Sequence, residues 1–164
     1  MKQKNILDKV LNYVYNTSKQ PILLKDMLIA SVQFSNGMEV DSSRLGFRLN
    51  LTRAYIVYIA LVLAILVPIS LLTHKPLAKI DPHISIIGAM IITALIFMGF
   101  NYFMDLLKNS MTKSTIKKAW SLHFPYFSYE EYNQNVNKFF ENAMREEVSK
   151  RDLQKYILDR LAQL

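Results

Sequence analysis

The residues best suited to chemistry gather in one short segment: His74, Asp81 and His83. Imidazole and carboxylate groups ligate transition metals and relay protons. Two histidines and one carboxylate on a proline-containing segment do not define a coordination geometry. The reading that fits better gives Asp81 a local task. Asp-Pro at 81–82 is a helix start, with Asp81 capping free N–H groups and Pro82 at the first helical position. In an oligomer, a ring of Asp81 carboxylates at a helix mouth would attract cations. His123 stands apart from any such group.

A second constellation is Lys113, Lys117 and Lys118 beside Trp120. Charge interleaved with an aromatic ring suits single-stranded nucleic acid. Here the cluster follows a long apolar run, which favours anionic lipid headgroups instead, so no nucleic acid is expected as a partner. The aromatic group Phe124, Tyr126, Phe127, Tyr129 and Tyr132 reads as the core joining small helices, with a partner-binding patch as the alternative.

Other chemistries lack their residues. The chain has no cysteine, which removes disulfides, zinc–thiolate sites and a Cys nucleophile. Its four glycines, at 37, 46, 88 and 99, form no phosphate-binding loop. No H-E-x-x-H spacing occurs. No catalytic, cofactor-binding or metal-binding residue is assigned, and a non-enzymatic protein is expected.

The elements that position these residues are dominated by two apolar runs. Residues 54–73 (AYIVYIALVLAILVPISLLT) and 84–103 (ISIIGAMIITALIFMGFNYF) contain no Asp, Glu, Lys or Arg. As helices, twenty residues span about 30 Å, the thickness of a bilayer's hydrocarbon core. A soluble chain of 164 residues would have too little protein left to bury both. The segment 74–83 is too short to recross a bilayer, so the runs predict an antiparallel transmembrane hairpin. No charge lies within either run, where a proton relay or ion-coupled transporter would need one. Asn101 and Thr93 are the notable polar residues there. Small residues suit helix–helix packing in lipid: Ala60, Ala64 and Pro68 share one face of the first run, and Ser85, Ala89 and Thr93 share one face of the second. Pro68 removes a helix hydrogen bond and is expected to bend the first helix.

Charge sets the orientation. The net charge of +7 divides as +4 before the first run, +1 between the runs and +2 after the second. Arg44, Arg48, Arg53, Lys108, Lys113, Lys117 and Lys118 flank the terminal sides, against Lys75 and Lys79 in the linker. The seven are candidate contacts to lipid headgroups, and they place both termini in the cytoplasm of a bacterial-type membrane. By density the contrast is weaker than by count. Tyr55, Tyr58, Phe100, Tyr102 and Phe103 would form an aromatic belt on the same side.

Outside the runs, residues 4–17 have apolar positions at helical spacing (Ile6, Leu7, Val10, Leu11, Val14), suited to a membrane surface or a partner helix. Residues 22–34 predict a helix followed by a turn at Asn36-Gly37, with a β-hairpin over 32–40 as the alternative. Residues 44–53 read as an interfacial lead-in with arginines reaching headgroups. No Gly or Pro occurs from 100 to 124, so the second helix is expected to continue to about residue 122 before Pro125. Ser128 and Glu131 form an S-x-x-E capping box, and Ser149 and Asp152 mark another helix start.

The fold expected is therefore an all-α membrane protein: an N-terminal helical segment (1–53), the hairpin (54–103), and a basic extension with two amphipathic helices (104–164). Those helices are too short to fold unaided, so they should pack on the N-terminal helices, another copy or another protein. Two spans and a basic tail resemble the general layout of some phage holins, a layout shared by many unrelated proteins. The leading functional expectation is an anchoring, assembly or accessory subunit that binds a partner through its cytoplasmic helices. A homo-oligomeric pore or transport subunit, holin-like or cation channel-like, is the alternative. Implied partners are a bilayer with anionic lipids and a protein partner or self-association; no cofactor is implied.

Overall fold

Apolar periodicity and caps divide the chain into six helices and two short strands. The computed structural model describes residues 6–77 and 82–163, with side chains at 6–72 and 86–163. In order they are α1 (Ile6–Val14), β1 (Tyr15–Thr17), α2 (Leu24–Ser35), β2 (Phe47–Leu49), α3 (Leu51–Leu77), α4 (Pro82–His123), α5 (Tyr129–Arg145) and α6 (Leu153–Leu161).

The strands correct the all-helical expectation. The helix expected over 4–17 ends at Val14, and Tyr15–Thr17 pairs with Phe47–Leu49 in a two-stranded sheet. The Ser18 N–H donates to the Gly46 carbonyl at 2.6 Å, and the Asn50 N–H donates to the Val14 carbonyl at 2.9 Å. Partners that rise on one strand as they fall on the other make the pair antiparallel. The expected lead-in at 44–53 is therefore a turn and a strand. Gly46 makes that turn with φ of 65°, a left-handed conformation that suits glycine. Strand formation here gives backbone groups internal partners that an interfacial coil would leave to water.

α2 ends as the first of the two expectations has it, in a turn rather than a hairpin. The Asn36 N–H donates to Val32 and the Met38 N–H to Gln33, with Gly37 between them at φ of 68°.

α3 and α4 are both long and apolar enough to cross a membrane. α3 has 27 residues and runs unbroken through Pro68. It includes Pro76 in its last turn. Proline loses one backbone hydrogen bond, but its fixed φ is helical, so a last turn tolerates it. Asn50 caps α3: its Oδ1 accepts from the Arg53 N–H at 3.1 Å, and its carbonyl accepts from Ala54. α4 starts at Pro82 and carries 42 residues to His123, about 63 Å. Its continuation beyond the apolar run agrees with the lack of breakers in that stretch. Asp81, the expected cap, lies outside the described residues.

The chain forms two compact units. The first is Met1–Asn16 with Leu49–Asn109, and the second is Thr17–Arg48 with Ser110–Leu164. Each unit joins residues from both sides of the apolar runs.

In the first unit, α1 packs against α3, with Leu11 and Val14 buried. Most side chains of α3 and α4 past their shared aromatic contact are exposed, with Leu72 at 80% and Phe97 at 73%. In the second unit, α5 packs on both α6 and α2. Its core contains Met27, Leu28, Ile116, Trp120, Val136 and Ile157. The amphipathic helices α5 and α6 thus pack on each other, and α5 also packs on α2 of the same chain.

Candidate functional site

The residues whose types could ligate a metal, His74, Asp81 and His83, do not form a described site. Asp81 and the side chains of His74 and His83 lie outside the described residues. Among the described residues no group of three His, Cys, Asp or Glu could hold a metal ion. His123 is structural. Its Nε2–H donates to the Ile22 carbonyl at 2.9 Å, and its own carbonyl accepts from Gln154 Nε2 at 3.1 Å.

The basic side chains have differing surroundings. Arg44 lies 3.8 Å from the Asp41 carboxylate. Arg48, Lys113 and Lys118 are exposed, and Lys108 is half-buried. Lys117 pairs with Glu130 and lies 5.9 Å from the centre of the Tyr129 ring. The Lys117 hydrogen bond holds the Glu130 carboxyl below the usual range. Arg53 donates to the Tyr13 carbonyl at 3.2 Å and to Asn16 Oδ1 at 3.4 Å, and lies 5.4 Å from the Tyr13 ring centre. It ties the end of α1 to the first turn of α3, a task that its sequence position alone does not show.

The small residues expected to pack the two long helices are exposed: Ala60, Ala64 and Pro68 on α3, Ala89 and Thr93 on α4. The side chain of Ser85 lies outside the described set. Thr93 Oγ1 donates to the Ala89 carbonyl at 2.8 Å, satisfying its hydroxyl within its own helix. Ala89 and Thr93 line an open groove on α4 with Ile86, Met90, Ala94 and Phe97.

Among the described residues, α3 and α4 meet through aromatic side chains. Tyr55 stacks on Phe100 with ring centres 4.4 Å apart. Tyr58 meets Phe100 edge-on at 5.2 Å and Phe103 at 5.3 Å. The Tyr58 hydroxyl donates to the Ile96 carbonyl at 2.5 Å. The sequence placed these aromatics in a belt; their pairing with one another depends on Gly99, whose missing side chain leaves room for the Tyr58 hydroxyl.

In the second unit, a polar group sits inside the core. Ser31 Oγ donates to Asn137 Oδ1 at 2.9 Å, and Asn137 Nδ2 donates to Ser35 Oγ at 2.9 Å. Ser31 and Asn137 are both buried, so each must satisfy the other. Burial raises the Tyr129 phenol, opposed by its hydrogen bond to Ser31 and by Lys117. The signal in the sequence is Asn137 itself, a polar residue between Val136 and Phe140 on an apolar stripe. Trp120 donates its indole N–H to the Phe127 carbonyl at 2.7 Å and packs edge-on against Tyr129. Phe124 and Tyr129 are core residues, as the aromatic group suggested, whereas Tyr126 is 93% exposed.

Two expected helix starts behave differently. Ser128 caps α5 by position, but its side chain makes no cap bond, so the S-x-x-E box is not formed. A β-region Ser128 backbone still begins the helix. At α6, Ser149 Oγ donates to Asp152 Oδ2 at 2.7 Å and accepts from the Asp152 N–H at 3.3 Å.

What this arrangement offers is surface for binding: two long apolar helices, and a helical unit with Leu23, Leu122 and Tyr126 left exposed. No family model, curated protein or solved structure matches the chain.

Proposed function

We propose that the protein is a non-enzymatic integral membrane subunit. Its two spans form an antiparallel hairpin, and the segments flanking them fold into one helical unit that binds a protein partner on the cytoplasmic face. The observation that carries this reading is the buried Ser31–Asn137 hydrogen bond. One partner precedes both long helices in sequence and the other follows them. A shared core requires both segments in one compartment, and two crossings satisfy that requirement.

Exposure of the long helices supports the membrane. An apolar surface running from Ile56 to Leu72 and from Ile86 to Met98 far exceeds the patches that soluble monomers leave to water. Leu51–Leu72 spans about 33 Å as a helix, enough to cross. The excess of Lys and Arg on the terminal flanks supports the cytoplasmic side.

The partner is inferred from what the helical unit leaves uncovered. Leu122 and Leu23 adjoin the His123–Ile22 hydrogen bond, and both are about 70% exposed. Anchoring in the membrane with a folded unit on one side suits assembly or accessory work. Affinity capture of the full chain from mild detergent should recover a stoichiometric protein, and Leu122→Asp or Tyr126→Asp should release it. A monomer that captures nothing, or ion flux from the reconstituted protein alone, would count against this function.

A further inference from the structure

α1 divides into three stripes. Val10, Leu11 and Val14 turn towards α3, where Leu11 and Val14 are buried. Asp8, Lys9 and Asn12 form an exposed polar stripe. Ile6 and Tyr13, seven residues and two turns apart, share a flank between these stripes. Both are apolar and exposed, Ile6 at 78%.

The position of α1 along α3 says what covers that flank. Arg53 holds the last turn of α1 through the Tyr13 carbonyl, and the Asn50 N–H holds the Val14 carbonyl. Arg53 is the last charged residue before the uncharged run. The end of α1 is therefore pinned where α3 passes from charged to apolar sequence. Exposed Asp8 and Lys9 exclude a path down α3 into hydrocarbon, where such groups are costly. The exposed apolar side chains Leu51, Tyr55 and Ile56 of α3 lie within three residues of Arg53 in sequence, and the Arg53 guanidinium lies 5.4 Å from the Tyr13 ring centre, so Tyr13 sits where the apolar surface of the span begins.

We propose that α1 is an interfacial helix whose Ile6/Tyr13 flank inserts into the lipid headgroup and upper acyl region beside the first span, an assignment that rests on the two-span reading above. Amphipathic helices of this kind bury an apolar face about 5–10 Å into the boundary region. Tyrosine suits that depth because its ring is apolar and its hydroxyl stays wet. The Arg53–Tyr13 contact fixes the helix at this level.

The absence of native cysteine allows the test on the full chain. Single cysteines replacing Ile6, Tyr13, Asp8 and Asn12 carry spin labels in nanodiscs of phosphatidylcholine and phosphatidylglycerol. A label replacing Leu63 on α3 reports the span. Labels at 6 and 13 should collide more with oxygen, which partitions into lipid, than with a water-soluble nickel chelate. Labels at 8 and 12 should show the reverse. Nickel preference at 6 and 13 with oxygen preference at 63 overturns the interfacial helix and leaves the spans standing. Nickel preference at 63 as well overturns both. Ile6→Asp offers a second readout: the label at 13 should lose oxygen accessibility as α1 leaves the lipid, and an unchanged value contradicts the proposal.

Discussion

A Cβ on Gly99 would lie 2.7 Å from the Tyr58 hydroxyl. That oxygen is held in place by its hydrogen bond to Ile96, and its ring by Phe100 and Phe103. Gly99→Ala should therefore destabilise the α3–α4 contact by roughly 1–3 kcal/mol, as overpacking does. Tyr58→Phe should cost about 1 kcal/mol for the lost hydrogen bond. The double variant should be less damaged than the sum, because removing the hydroxyl relieves the clash; the ring carbon beneath it is 3.8 Å away, an ordinary contact. Unfolding of the four proteins in detergent micelles checks this. Additive losses would mean that the two residues do not share this contact.

Asn137→Ala should destabilise the second unit by about 1–3 kcal/mol, since Ser31 loses its buried partner. Trp120 is the sole tryptophan and lies in this core, so its fluorescence reports the transition directly. An unchanged denaturation midpoint would remove Asn137 from the account of what joins α2 to α5.

A chain truncated after His123 should leave residues 17–48 open to protease. Met27 and Leu28 are fully buried, and α2 loses the helix against which it packs. Limited proteolysis of membranes carrying the truncated and full chains should show cleavage near α2 only in the former. Equal protection would mean that α5 is not needed to cover α2.

Alkaline pH should weaken the fold through Tyr15. Burial pushes its phenol from 10.0 up to about 12. The unfolded chain then loses this proton first, so the contribution is fully present below pH 10 and is lost as pH rises towards 12. Denaturation midpoints over this interval should fall more steeply for the native chain than for Tyr15→Phe. Parallel curves would show that the phenol does not couple to folding.

Much of this architecture is legible in the residues. The two uncharged runs identify α3 and α4, and the stretch free of Gly and Pro before His123 explains the length of α4. Local signals also locate α2, α5 and α6. The strands were hidden because Tyr15–Thr17 continues a helical apolar pattern, and only Phe47–Leu49 far along the chain supplies its ladder. Tyr55 and Phe100 read as belt residues, and their stacking depends on which faces of α3 and α4 meet, which no local signal specifies. Arg53 looked like a headgroup ligand because its partners, Tyr13 and Asn16, are distant in sequence. Asn137 is polar beside Val136 and Phe140, a signal that marks it, yet nothing local names Ser31 as its partner.

The central claim is that residues before and after the two spans share one side of the membrane. Single cysteines replacing Lys19, Lys79 and Gln163 test it, each probed with an impermeant thiol reagent on sealed and opened vesicles. Positions 19 and 163 should label from one side and position 79 from the other. Labelling of 79 from the same side as 19 and 163, or of 19 and 163 from opposite sides, would contradict the account.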